Sequence, residues 1–243
     1  MIADLRHLWQ EAFGDSDETL DAFFATGFSP DRCHYLTENG KIVTALYWFD
    51  CVLDGQKMAY IYAVATKKEY RGRGLATRLM EQTHEILKAQ NYAGAILVPG
   101  EKSLFSYYEA LGYRTATQVE EFPCMAGDPA ALVTEINREE YTLLRRKYLP
   151  RGGVLQEGAI LLYLASYAKF YKGEDFLLAA SKTGEDLLAH EILGNTDRCK
   201  NILCALGCKN GRFRTPGAGW DFAMFLPLGD GCPKPFYFGL ALD

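Results

Sequence analysis

Apolar residues recur along this chain at two periods, and the switches between them mark its elements. Leu5, Leu8, Trp9, Ala12 and Phe13 repeat at helical spacing, which predicts a first helix over residues 2–13. Asp15-Ser16-Asp17-Glu18 then reads as the start of a second helix, where acidic side chains suit the positive end of the helix dipole. Strand patterns follow at 33–37 and 42–49, turned by Glu38-Asn39-Gly40, and Asp54-Gly55 turns the chain into a long strand over 57–66. Alternation along that strand sets Met58, Tyr60, Tyr62 and Val64 on one face and Ala59, Ile61, Ala63 and Ala65 on the other.

Beyond residues 67–74 the period returns to helical. Leu75, Ala76, Leu79, Met80, Ile86 and Leu87 form one stripe of an amphipathic helix reaching about Gln90. A short buried strand is predicted at 95–98, a helix over 103–111 ended by Gly112, and a strand over 113–122. Met125-Ala126-Gly127-Asp128-Pro129 carries the Gly and Pro of a linker and predicts two domains, 1–124 and 125–243. In the second, helices are predicted at 138–148, with Arg145-Arg146-Lys147 on its charged face, at 157–171 and at 197–206. Strands are predicted at 176–180, 187–193, near Phe213, and at 221–226 and 236–242, an order that echoes the first half.

Composition narrows the function classes. Hydrophobic residues make up 49% and charged residues 23%, a globular balance that argues against disorder. The net charge of −5 disfavours a general nucleic-acid binder, which needs a basic face to release counterions from phosphate. The apolar stretch 159–168 is too short to span a bilayer, and Met1 to His7 lacks the basic start of a signal peptide, so a cytoplasmic protein is expected. Seven cysteines without a CxxC pair read as reduced thiols, and His84-Glu85 fails the HExxH zinc pattern because Lys88 stands at the second histidine position. No metal is expected.

The candidate chemistry sits at Arg71-Gly72-Arg73-Gly74-Leu75-Ala76, between a strand and an amphipathic helix. Gly72 and Gly74 remove side chains where the backbone approaches a ligand closely. The helix that opens there offers free N–H groups and a positive dipole end to a pyrophosphate, and Arg71 and Arg73 can add charge pairing. The loop is neither a dinucleotide GxGxxG nor a Walker A sequence, since Gly74 is not followed by Lys-Ser/Thr.

With Arg71, Gly74 and Ala76 the loop resembles the Arg/Gln-x-x-Gly-x-Gly/Ala signature of the GCN5-related N-acetyltransferases. Tyr108-Glu109-Ala110-Leu111-Gly112-Tyr113 is similar to that family's Tyr-x-x-x-Gly-Phe/Tyr element, and the resemblance covers roughly residues 1–122. It implies an α/β (α+β) fold: a mixed, mostly antiparallel sheet flanked by helices. It also implies transfer of an acetyl group from acetyl-coenzyme A to a primary amine of a small molecule or peptide. Val64, Ala65 and Thr66 would pair with the pantetheine arm, residues 71–76 would hold the pyrophosphate, and Tyr108 would protonate the leaving thiolate.

The sequence also departs from the family. Lys68 replaces a proline common before the loop, Glu101 an asparagine of the second helix, and Tyr60 the glutamate base that some members carry. An amine of pKa near 10 must lose a proton to react, and Glu101, Glu120, a water chain or the C-terminal carboxylate at Asp243 all remain open for that role. Tyr47, Trp48, Phe49, Tyr60 and Tyr62 either wall an acceptor pocket or pack a core, and Asp15, Asp17, Glu18 and Asp21 either attract a cationic acceptor or form a solvated helix start. The C-terminal half reads as a second, degenerate lobe of the same fold. At the counterpart of the loop it has Gly194-Asn195-Thr196-Asp197-Arg198-Cys199, which lacks the signature and sets an acid at the helix start. A coenzyme-A-binding sensor with little catalysis, or a transferase for a longer acyl group, are the competing functions.

Overall fold

The computed structural model describes residues 1–242, so the Asp243 candidate lies outside the described residues. The chain forms two compact units. The first comprises Met1–Arg114, Gly158–Tyr163 and Met224–Lys234; the second comprises Thr115–Glu157, Leu164–Ala223 and the chain from Pro235.

In the first unit, α1 (Ile2–Phe13) and α2 (Asp17–Thr26) precede an antiparallel meander of β1 (Cys33–Glu38), β2 (Lys41–Leu53) and β3 (Gln56–Thr66). The Ser16 hydroxyl caps α2 by accepting from the Thr19 N–H at 3.3 Å. Asp17 and Asp21 of that helix start pair with Arg6, while Asp15 accepts from the Trp9 indole at 2.6 Å. A crossover through α3 (Leu75–Ala89) brings β4 (Gly94–Leu97) parallel to β3. The next strand in the sheet is Met224–Pro227, antiparallel to β4 and supplied from far along the chain. Leu46, Trp48, Ala59, Ile61, Leu79, Met80, Leu97, Tyr113 and Met224 share one core, against which α4 (Ser103–Ala110) packs through Tyr108.

Strict alternation fails on β3. Register with β2 runs Ala45↔Ala65 but Tyr47↔Tyr62, so β3 carries an extra residue, and Ala63 takes φ 49°. A bulge of this kind reverses side-chain parity downstream. Val64 accordingly packs on the same cluster as Ala59 and Ile61, instead of with Tyr60 and Tyr62.

The second unit holds another mixed, mostly antiparallel sheet. Its strand order is Trp220–Asp221, Gln118–Met125, Asn210–Pro216, Asp186–Gly194, Phe176–Thr183, Lys169–Lys172 and Thr134–Ile136. The Asp186–Gly194 and Asn210–Pro216 pair is its parallel step, made through the helix Cys199–Ala205. Leu178, Leu187, Ile192, Ile202, Leu203 and Phe213 fill the core on that helix's side.

Several predicted elements are corrected. The helix expected over 157–171 covers only Ala159–Leu164, and Lys169–Lys172 is a strand, because a fully apolar run fits either state until a partner decides. The strand expected over 113–122 breaks at Ala116 and Thr117, whose N–H groups both turn to the Ala223 carbonyl. Trp220–Asp221 and Met224–Pro227 replace a single strand at 221–226. Residues 236–242 form no strand, yet they are largely buried: Val154 donates to the Tyr237 carbonyl at 2.8 Å, and the Gln156 side chain holds both the N–H and the carbonyl of Leu240.

Arg145 overturns the reading of residues 145–147 as a charged face. It is 1% exposed, and its guanidinium grips Glu191 with two bonds, Nε to Oε2 at 2.7 Å and Nη2 to Oε1 at 2.9 Å. Tyr141 and Tyr237 donate their hydroxyls to the same carboxylate at 3.0 and 3.1 Å. Burial alone would lower the Arg145 pKa, but the Glu191 charge and hydrogen bonds outweigh it and raise it. Glu191→Gln should therefore destabilise the protein by about 3–5 kcal/mol, because a buried cation loses its counter-charge. Urea unfolding measures this, and the double variant Arg145→Met/Glu191→Leu should recover only part of the loss, because the buried Tyr141 and Tyr237 hydroxyls lose their acceptor.

Candidate functional site

Where β3 parts from β4, the first unit leaves strand outside the parallel ladder. The parallel register covers only residues 58–60 against 94–96 and ends just before the bulge at Ala63. Past Tyr60, β3 runs on to Thr66 with its β4-side edge unpaired in that register, and Val64, Ala65 and Thr66 lie on this stretch. Unpaired strand-edge N–H and C=O groups can bond an extended amide-bearing ligand by strand addition.

The loop after Thr66 is braced from several sides. Lys67 N–H bonds the Val43 carbonyl at 2.9 Å, and the Glu11 carboxylate of α1 accepts the Lys68 N–H at 2.6 Å. Arg71 Nε reaches the Thr66 carbonyl at 3.0 Å, and Arg73 Nη2 reaches the Glu69 carbonyl at 2.9 Å while its guanidinium stacks over Tyr70. Both arginines thus hold the loop's shape while remaining exposed. Gly72 and Gly74 adopt φ 76° and 71°, and a Cβ at either would meet nothing within 4 Å. Their glycine identity answers to backbone conformation, and the space beside them is open.

α3 starts at Leu75 with Gly74 at its N-cap, no capping side chain and no acid in its first turn. α2 and α5 (Arg138–Tyr148) differ: Ser16 and Asn137 cap them, and acids occupy their first turns. The N–H groups of Leu75 and Ala76 therefore remain available to an anion that arrives at Gly74.

Tyr108 on α4 is 8% exposed, with its ring against Tyr107 at 5.0 Å and Tyr113 at 5.9 Å between centroids. Burial, with a smaller contribution from Tyr107, raises its pKa well above the usual phenol value, so it holds its proton at neutral pH. Of the five aromatics left open by sequence, Tyr47, Trp48, Phe49 and Tyr60 are buried core, and Tyr62 is half-buried. Tyr62 hydrogen-bonds Tyr163, whose ring lies 5.4 Å from Phe23. Sequence reasoning missed Glu11 and Tyr163, since their contacts join segments far apart in the chain. Of the candidate bases, Glu101 is exposed just ahead of α4, and Glu120 belongs to the second unit beside Gly217 and Gly219.

The second unit has matching parts in a closed form. Its central strand also bulges where the parallel pair ends, with Ala179↔Glu191 followed by Ala180↔Ala189. Here, however, the Thr215 hydroxyl bonds the Ile192 carbonyl at 2.9 Å across the two strands, and Glu191 is committed to Arg145. A Cβ at Gly194 would collide with the Asp175 carbonyl, so the turn has none of the room seen at Gly72 and Gly74.

Among the described residues no helix is long and apolar enough to cross a membrane. Residues 2–116 match the family model of the acetyltransferase (GNAT) domain. No curated protein matches the chain at the sequence level. A GCN5-related N-acetyltransferase from Anabaena variabilis aligns with TM-score 0.72 and 15% identity over 94% of this chain and 70% of its own. A putative acetyltransferase from Pyrococcus horikoshii gives 0.66 and 15% over 99% and 92%. A tandem GNAT protein from the clavulanic acid biosynthesis pathway gives 0.58 and 10%, over 95% of each chain. At these identities the likeness is one of fold.

Proposed function

The first half of this chain belongs to the GCN5-related N-acetyltransferase superfamily, and from that premise we propose that it transfers an acetyl group from acetyl-coenzyme A to a primary amine. One observation carries the reading: the β3 edge beyond the β4 ladder leads, through the braced loop 67–73, to an open, uncapped helix start at Gly74. That arrangement suits a ligand with amides at one end and a pyrophosphate at the other. Val64 and Thr66 bond the amides, with Ala65 between them turned to Ala45 of β2, while the N–H groups of Leu75 and Ala76, with Gly72 and Gly74 leaving room, receive the phosphates. Arg71 and Arg73 keep the loop in shape and contribute positive charge.

Acetyl-coenzyme A supplies a thioester carbonyl that the free amine nitrogen attacks; the carbon–sulfur bond breaks, and the proton that the nitrogen sheds returns through water to Tyr108 after Tyr108 has protonated the sulfur. Tyr108 keeps its proton until negative charge gathers on the departing sulfur, then passes it over. The acceptor is the amine of a small molecule or peptide.

Tyr108→Phe should lower kcat by about 10²–10⁴-fold, the usual worth of general acid catalysis, with the KM for acetyl-coenzyme A changed only a few-fold. Steady-state kinetics across a panel of amines measures it. Unchanged kcat where chemistry limits turnover would remove Tyr108 from the mechanism, and no turnover with any amine would favour a coenzyme-binding sensor. Each chain should bind one coenzyme molecule, because Thr215, Glu191 and Gly194 close the counterpart slot of the second unit. Calorimetric titration reads the stoichiometry; two sites per chain would refute it.

A further inference from the structure

Tyr108 has to keep its hydroxyl fixed with respect to whatever Gly74 and the start of α3 hold, yet it sits on a helix of only eight residues. Its ring is backed by Tyr113, which is fully buried and lies edge-on at 5.9 Å. Tyr113 also donates its backbone N–H to the Tyr108 carbonyl at 3.1 Å. The Tyr113 hydroxyl, in turn, lies 2.9 Å from Nε2 of His84, in a part of the core where both groups are buried. His84 belongs to α3, the helix whose first turn carries Leu75 and Ala76.

We infer that the His84–Tyr113 hydrogen bond is a positioning device that fixes Tyr108 relative to the coenzyme-binding start of α3. The inference rests on the proposed role of Tyr108. Either neutral tautomer of the imidazole can hold the bond, as donor or as acceptor. Burial first, and then Lys88, push the His84 pKa down to about 4, so the ring stays neutral across the physiological range and the bond is not a pH switch there. Catalysis is sensitive to such placement: a shift of about 1 Å at a reacting group can cost roughly 10²-fold. A purely apolar pair here would fill the same volume without fixing the angle between α3 and α4.

His84→Leu and Tyr113→Phe, made in the full chain, each delete the bond. Both should lower kcat about tenfold while the KM for acetyl-coenzyme A stays within about threefold. His84→Gln, which keeps a hydrogen-bonding group, should recover at least half of the wild-type kcat. The deciding measurement is a double-mutant cycle with Tyr108→Phe. If His84 acts through Tyr108, His84→Leu has no further effect on kcat once Tyr108 is Phe; independent, additive losses would overturn the inference. Wild-type kcat in folded His84→Leu and Tyr113→Phe, beside a slow Tyr108→Phe, would also overturn it while leaving Tyr108 in its role. Should Tyr108→Phe itself keep full kcat, the proton-donor reading fails, and the positioning role fails with it.

Discussion

Gly74→Glu is expected to abolish saturable binding of acetyl-coenzyme A while the chain stays folded. Two effects act together. At φ 71° any residue with a Cβ is strained by about 1–2 kcal/mol. The new side chain also enters the open space beside Gly74 and sets a carboxylate where phosphate oxygens have to approach the helix start. Strain alone can be separated out. Gly184, in a hairpin of the second unit, has φ 60° and equally open surroundings, so Gly184→Glu should cost similar stability and leave coenzyme affinity intact. Calorimetry on both variants, with circular dichroism to confirm folding, reads the difference. Affinity for Gly74→Glu within a few-fold of wild type would remove the loop from the site.

Residues 1–124 made alone are expected not to fold into a compact monomer, although they contain the whole signature loop. Such a fragment lacks Gly158–Tyr163 and Met224–Lys234, which belong to the first unit. Tyr163 packs on Phe23, Met224 and Leu228 sit in the core with Leu97 and Tyr113, and Phe225 fills the space over Gly94. Burying each such side chain is worth about 1.5–3 kcal/mol, so losing four removes about 6–12 kcal/mol. Total stabilities run only to about 5–15 kcal/mol. The fragment also bares the β4 edge that Met224–Pro227 covers, an invitation to aggregate. Size-exclusion chromatography and amide dispersion by NMR test this, and tethering residues 222–234 to the fragment by a flexible linker should restore part of the folded population. A monomeric, well-dispersed 1–124 would show that the returning segments are dispensable.

Local signals made much of this protein readable. The run from β3 through the loop, α3 and α4 is written in adjacent residues: a period change at Thr66, glycines at 72 and 74, one apolar stripe, then Gly112. The family resemblance rests on that same stretch, which lies within the matched residues 2–116. Features that depend on distant partners stayed hidden. Nothing in the alternation of residues 57–66 announces that Ala63 is the extra residue of a bulge, since its cause is the register with β2. Arg145 stands in a basic triplet like any solvated one, and only Glu191, 46 residues on, takes it inside. The strand Met224–Pro227 was legible as apolar, but its partner β4 was not, because pairing between separated segments leaves no mark in either.

The origin of that last strand sets a schedule on the ribosome. The N-terminal sheet cannot be finished when its own contiguous segment, ending at Arg114, has been synthesised; Met224 follows about 110 residues later. At about 5–20 residues per second the delay is roughly 5–20 s, long compared with the microseconds to seconds in which small domains fold. During it the nascent chain presents the edge of β4 and an incomplete core. A bare strand edge is a template for wrong pairing, so the yield of folded protein should depend on elongation rate as well as on final stability.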